Sequence, residues 1–144
     1  MVLKTFEEYI EDNIVKEITP DFQRAESLIE ESDKKYSFLQ KMINSIGVED
    51  DYANEYIEYC YNILMFLIRA EMLKEGFSSS GKGAHEAEVS FTKQLGFSDN
   101  DIQVLDKLRY YRNGILYYGK QFDKEYAIQI IEFTKRVKNN ITLN

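Results

Sequence analysis

Ile57–Leu73 reads IEYCYNILMFLIRAEML, and its apolar residues do not keep to one side. At helical spacing, Ile63, Leu64, Phe66, Leu67, Ile68, Met72 and Leu73 cover most of the circumference. A helix apolar nearly all round needs neighbours all round, so it belongs at the middle of a bundle or in an interface. Its most apolar part, Ile63–Ala70, is far too short to cross a bilayer. The helix is expected from Asp50 or Asp51 to about Glu75, where Gly76 stops it.

Amphipathic segments flank this run on both sides. Pro20 to Ile46 carries Phe22, Ala25, Leu28, Ile29, Tyr36, Leu39, Ile43 and Ile46 on one stripe, with Thr19 as cap and Gly47 as stop. Upstream, Leu3, Phe6, Ile10, Ile14 and Ile18 recur at steps of three and four, which predicts a helix over Val2–Ile18. Downstream, Phe77–Ala84 (FSSSGKGA) reads as a flexible loop, followed by a short helix from His85 to about Leu95. Ser98-Asp99-Asn100-Asp101 resembles a capping box at the start of a fifth helix, which ends at about Tyr118 before Gly119. Asp123 caps a last helix bearing Tyr126, Ala127, Ile130, Ile131, Thr134, Val137 and Ile141. No strand pattern, repeat or linker interrupts the series. The expectation is one all-α domain over residues 1–144, an antiparallel bundle of about five to six helices. Residues 1–18 would form an N-terminal amphipathic helix and residues 20–143 the bundle.

Composition narrows the function classes. The chain has 144 residues, 44% hydrophobic and 30% charged, with one cysteine and a net charge of −7. That length buries a core without staples, and a lone Cys60 fits a reducing cytoplasm. Glu7, Glu8, Glu11 and Asp12 occupy the place where a secretory signal has basic and apolar residues, so a cytoplasmic location is expected. An acidic chain meets nucleic acid only through a local basic patch.

Two motifs read most simply as structure. Gly76–Gly83 (GFSSSGKG) approaches a phosphate-binding loop, but it follows a helix, and Gly83 stands where a magnesium-holding hydroxyl belongs. His85 and Cys60 together supply at most two zinc ligands, so neither a metal nor another cofactor is expected. Cys60, in a very apolar helix, reads as a buried structural thiol. His85 reads as a polar residue near its helix start, or as one facing a functional groove.

Asp106–Lys120, DKLRYYRNGILYYGK, carries the candidate site. Arg112 falls among Leu105, Leu108, Ile115 and Leu116 on the apolar side of the fifth helix. An unpaired buried guanidinium costs several kcal/mol. Arg112 therefore has either a carboxylate partner on a neighbouring helix or a polar cleft. Arg109, Asn113 and Tyr117 follow at steps of four as a ridge along the flank.

Arg112-Asn113-Gly114-Ile115-Leu116-Tyr117-Tyr118-Gly119 resembles the signature of the HEPN superfamily. That signature is an arginine, often followed by asparagine, then a histidine after four to six intervening residues, near the end of a bundle helix. The preceding order of elements is similar too, from about Pro20 onward. The resemblance implies a homodimer in which the arginine motifs meet across a cleft. It implies a metal-independent ribonuclease, often a toxin held by a nucleotidyltransferase-like antitoxin, or a binding or scaffold module without activity. Arg112 takes the arginine position, Asn113 the polar neighbour, and Tyr117 or Tyr118 stands at the histidine position. Arg109, Tyr118, Lys120 and His85 would bind RNA or a partner beside Arg112, Asn113 and Tyr117. Tyrosine, with an ordinary pKa of about 10, is a poor base at neutral pH but donates hydrogen bonds and stacks on bases. Residues five apart also lie about 140° apart around a helix. The expectation is an RNA-linked or toxin–antitoxin-like module with nuclease activity reduced or lost. The alternatives are an active endoribonuclease and a helical interaction protein.

Overall fold

A computed structural model describes residues 3–143. Six helices follow one another: α1 (Phe6–Glu11), α2 (Phe22–Ile46), α3 (Ala53–Lys74), α4 (Ala84–Phe91), α5 (Asp99–Tyr118) and α6 (Lys124–Leu143). A 3-10 turn, Asp50–Tyr52, leads into α3. The fold is an all-α bundle with one small addition, a two-stranded antiparallel ribbon of β1 (Val15–Glu17) and β2 (Phe77–Ser79). Among the described residues no helix is long and apolar enough to cross a membrane.

The apolar run lies at the centre. Helix α3 buries 13 of its 22 residues, including Ile57, Cys60, Ile63, Leu64, Leu67 and Ile68. It packs against α2, α6, α4 and α5 at once, which is what its all-round hydrophobicity demands. Ser32 of α2 is buried in this contact and donates its hydroxyl to the Ile63 carbonyl at 3.0 Å.

The N-terminal segment departs from the expected helix. Val2, where that reading began, lies outside the described residues. Thr5 and Glu8 form a reciprocal capping box that starts α1, and six residues later it stops. Asn13 adopts φ 61° and the Ile14 N–H reaches back to the Tyr9 carbonyl at 3.1 Å, a Schellman-type ending with asparagine in the usual glycine place. The chain then runs as a strand in which Val15 faces Ser79, Lys16 faces Ser78 and Glu17 faces Phe77. Phe77–Ser79 is thus paired strand rather than flexible loop. Gly76 makes the return possible. Its φ of +86° suits glycine, and a Cβ there would meet the Ile18 carbonyl oxygen at 2.8 Å.

This ribbon seats α4. Phe6, Phe77 and Phe91 stack edge to face, with centroids 5.0 to 6.4 Å apart, and tie α1, β2 and α4 into one apolar corner. Helix α5 begins as expected, with the Ser98 hydroxyl accepting from the Asp101 N–H at 3.1 Å. The box stays half made, because the Asp101 carboxylate turns to Arg136 of α6 in a bidentate pair, both contacts 2.9 Å. At the other end Gly119 closes α5 in the left-handed conformation. Asn54 holds the following loop, donating to the Lys120 carbonyl at 2.8 Å and accepting from the Phe122 N–H at 3.0 Å. Asp123 caps α6 through the Tyr126 N–H.

Candidate functional site

The two arginines of α5 part company. Arg109, expected on a ridge along the flank of the helix, is 5% exposed. Its guanidinium bridges Asp106, one turn back at 2.9 Å, and Glu86 of α4 at 3.0 Å. It lies four residues after buried Leu105, so it shares the inward face and serves as a strut between α4 and α5. Arg112 has no carboxylate within ion-pair distance among the described residues. Its guanidinium carbon stands 5.1 Å from the centroid of the Tyr61 ring, a cation–π contact with α3. Leu105 and Leu108 are buried, but Ile115 is half-buried and Leu116 exposed, so the expected apolar stripe is covered only at its start.

Around Tyr61 the structure assembles a cluster that the sequence reading only partly foresaw. The His85 ring lies edge-on to Tyr61 at 6.4 Å. His85 Nδ1 is 3.1 Å from a carboxylate oxygen of Glu88, one turn further along α4. Glu88 is 2% exposed and pairs with Arg69 of α3 through both Nε and Nη2, the latter at 3.2 Å. Burial pushes the Glu88 carboxyl up, but hydrogen bonds from His85 and Arg69 and the Arg69 charge outweigh it. The net shift is downward, so Glu88 stays ionised. The Tyr61 phenol is pushed up to about 12, first by burial and then by the Glu88 charge, against the opposing pull of Arg112, Arg109 and Arg69. It remains a proton donor at neutral pH.

Asn113 is half-buried, and Tyr117 and Tyr118 point outward at 74% and 87% exposure. Neither tyrosine makes a ring contact with Arg112 among the described residues; that place belongs to Tyr61. Lys120 also lies apart from the cluster. It sits over the Tyr111 and Phe122 rings at 6.0 and 5.6 Å, and with Lys107 it lines a cavity of about 830 Å³ between α5 and α6. Cys60 is fully buried, and burial pushes its thiol up to about 12, the state of an inert structural cysteine.

Arg69, Tyr61 and Glu88 escaped the sequence reading, although a signal was present. Arg69 interrupts the most apolar run of the chain, and Glu88 interrupts the apolar face of α4. Charges in such places require partners. No protein-family model, curated protein or solved structure matches the chain.

Proposed function

We propose that this protein is an HEPN-like, RNA-linked module of the toxin–antitoxin kind, working as a homodimer, with weak or absent nuclease activity. The observation that carries the reading is Arg112, a half-buried guanidinium without a carboxylate and poised over an aromatic ring. Such a group is open to an incoming phosphate, as an arginine held in an ion pair is not. Exposed Tyr110, Leu116, Tyr117 and Tyr118 form an uncovered end of α5, which supports pairing with a second copy along this helix. Weak activity fits Tyr117, which is turned to solvent and makes no ring contact with Arg112 among the described residues. The same uncovered end favours a second reading, a non-catalytic module that docks a protein such as a nucleotidyltransferase-like antitoxin.

Light scattering and RNA binding test the proposal together. The expected result is a dimer at micromolar concentration that binds single-stranded RNA, cleaves it slowly or not at all in EDTA, and loses binding in Arg112→Ala. A monomer whose Arg112→Ala variant binds RNA unchanged would retire the reading.

A further inference from the structure

His85, Arg112 and Tyr61 converge from three helices, and the charges around them are closely balanced. His85 itself meets Tyr61 on α3 and Glu88 on α4. The charges that act on Tyr61 are Glu88 on α4, Arg69 on α3, and Arg109 and Arg112 on α5, while Glu86 on α4 and Arg109 act on the Tyr9 phenol of α1. Arg69 and Arg109 pair with Glu88, Glu86 and Asp106, and Arg112 adds a third positive charge, so the cluster is formally neutral while His85 is neutral. All three carboxylates are engaged by Arg69 or Arg109. Arg112 alone among these arginines is left without one.

We propose that His85 and Arg112 form a phosphodiester-binding seat on Tyr61, in which protonation of His85 switches on anion binding. Glu88 is the positioning residue. With Nδ1 directed at a carboxylate held by Arg69, the imidazole keeps its orientation and its other nitrogen, Nε2, remains for a ligand. His85 is half exposed, so the ring is reachable from solvent. The neutral ring of that tautomer offers a phosphate only an acceptor at Nε2. The protonated ring offers a second N–H and turns the neutral cluster into a cationic one. In a chain of net charge −7, that added charge is what lets a backbone phosphate settle beside Arg112. The inference deepens the RNA-linked reading above and names its contact, the phosphate backbone rather than the bases.

Because His85 is the only histidine, its ring signals in NMR are unambiguous once any tag is removed. Titration with inorganic phosphate at about pH 5.5 is expected to move the His85 ring resonances. A labelled single-stranded RNA of about ten nucleotides is expected to bind about tenfold more tightly at pH 5.5 than at pH 8. His85→Gln should keep the fold, since the ring is half exposed, and should bind with one weak, pH-independent affinity. If His85→Gln keeps the wild-type pH dependence, or if phosphate leaves the His85 signals unmoved, the seat is overturned, whether or not RNA binds through Arg112. If phosphate moves His85 and RNA binds at neither pH, the seat stands and the RNA reading falls. If a polyglutamate peptide binds as well as RNA, with the same dependence on His85, the phosphodiester assignment is wrong.

Discussion

Arg109 and Arg112 stand one turn apart on the same helix and do opposite work. Arg109 is buried between two carboxylates, whereas Arg112 leans on the Tyr61 ring with no carboxylate at all. Removing Arg109 leaves Glu86 and Asp106 as uncompensated, partly buried charges facing each other, a loss of about 3–5 kcal/mol. Removing Arg112 forfeits one cation–π contact, about 1 kcal/mol. Urea melts of Arg109→Ala and Arg112→Ala, at matched concentration because the stability of any oligomer depends on it, should separate the two by at least about 2 kcal/mol. Equal losses would show that Arg112 is also a strut.

Tyr117→His tests the motif from the other side. The position is well exposed and five residues from Arg112, so an imidazole there is not beside Arg112 within one chain. RNA cleavage in EDTA should therefore stay near the wild-type level in any variant that is monomeric. A rise confined to the dimer would place the introduced imidazole opposite the guanidinium of the second copy. A rise in a monomeric variant would contradict this geometry.

How much of this was written in the sequence depends on the range of the forces involved. Helix α3 was legible because its own residues declare that all sides are covered, and Gly76 and Gly119 mark stops by local chemistry. The ribbon was not. Three residues of β1 are too few to set a period of two, and their partner arrives from beyond two long helices. The spacing of Ile10, Ile14 and Ile18 continues the helical pattern past Asn13, where the helix has already ended. Of the candidate site, the sequence singled out the helix and Arg112. It could not rank Arg112 against Arg109, because Glu86 comes from a different helix and only the α4–α5 packing brings it there. His85 reached the cluster in the same way, through the ribbon that seats α4.

Gly76 is where that seating is most easily broken. An alanine there must hold a left-handed φ and push its methyl against the Ile18 carbonyl oxygen, a backbone atom with little room to yield. Gly76→Ala should lower stability by at least about 1–2 kcal/mol and loosen α4. The specific readout is faster amide exchange at Ile18, whose N–H donates to the Gly76 carbonyl at 2.8 Å. Unchanged protection at Ile18 would show that the ribbon tolerates the strain elsewhere.

Cys60 offers a probe of the core. With its thiol pushed up to about 12 by burial and no exposed surface, it should resist iodoacetamide in the native protein and react readily in urea. Native labelling at an appreciable rate would mean that the packing of α3 against its neighbours opens under native conditions.

Acid should act on the fold through Glu88. Its folded-state pKa lies below the ordinary glutamate value, because the hydrogen bonds from His85 and Arg69 outweigh the burial that pushes it up. A depressed carboxylate contributes stability that is fully present above the unfolded pKa, about 4.3. That contribution is lost as pH falls through the lower folded value. Stability measured from pH 6 downward should therefore hold until about pH 4–5 and then fall. Asp101, lowered by its hydrogen bonds with Arg136, contributes in the same direction, so the wild-type curve alone does not isolate Glu88. Glu88→Gln does, because it keeps Asp101 and the shape of the site but has no proton to take up. The variant should be less stable near neutrality, where Arg69 has lost its counter-charge, and its curve should be flatter in acid, so that the two approach each other as pH drops. Curves that stay parallel down to about pH 3 would mean that the Glu88–Arg69 pair does not set the acid sensitivity of this bundle.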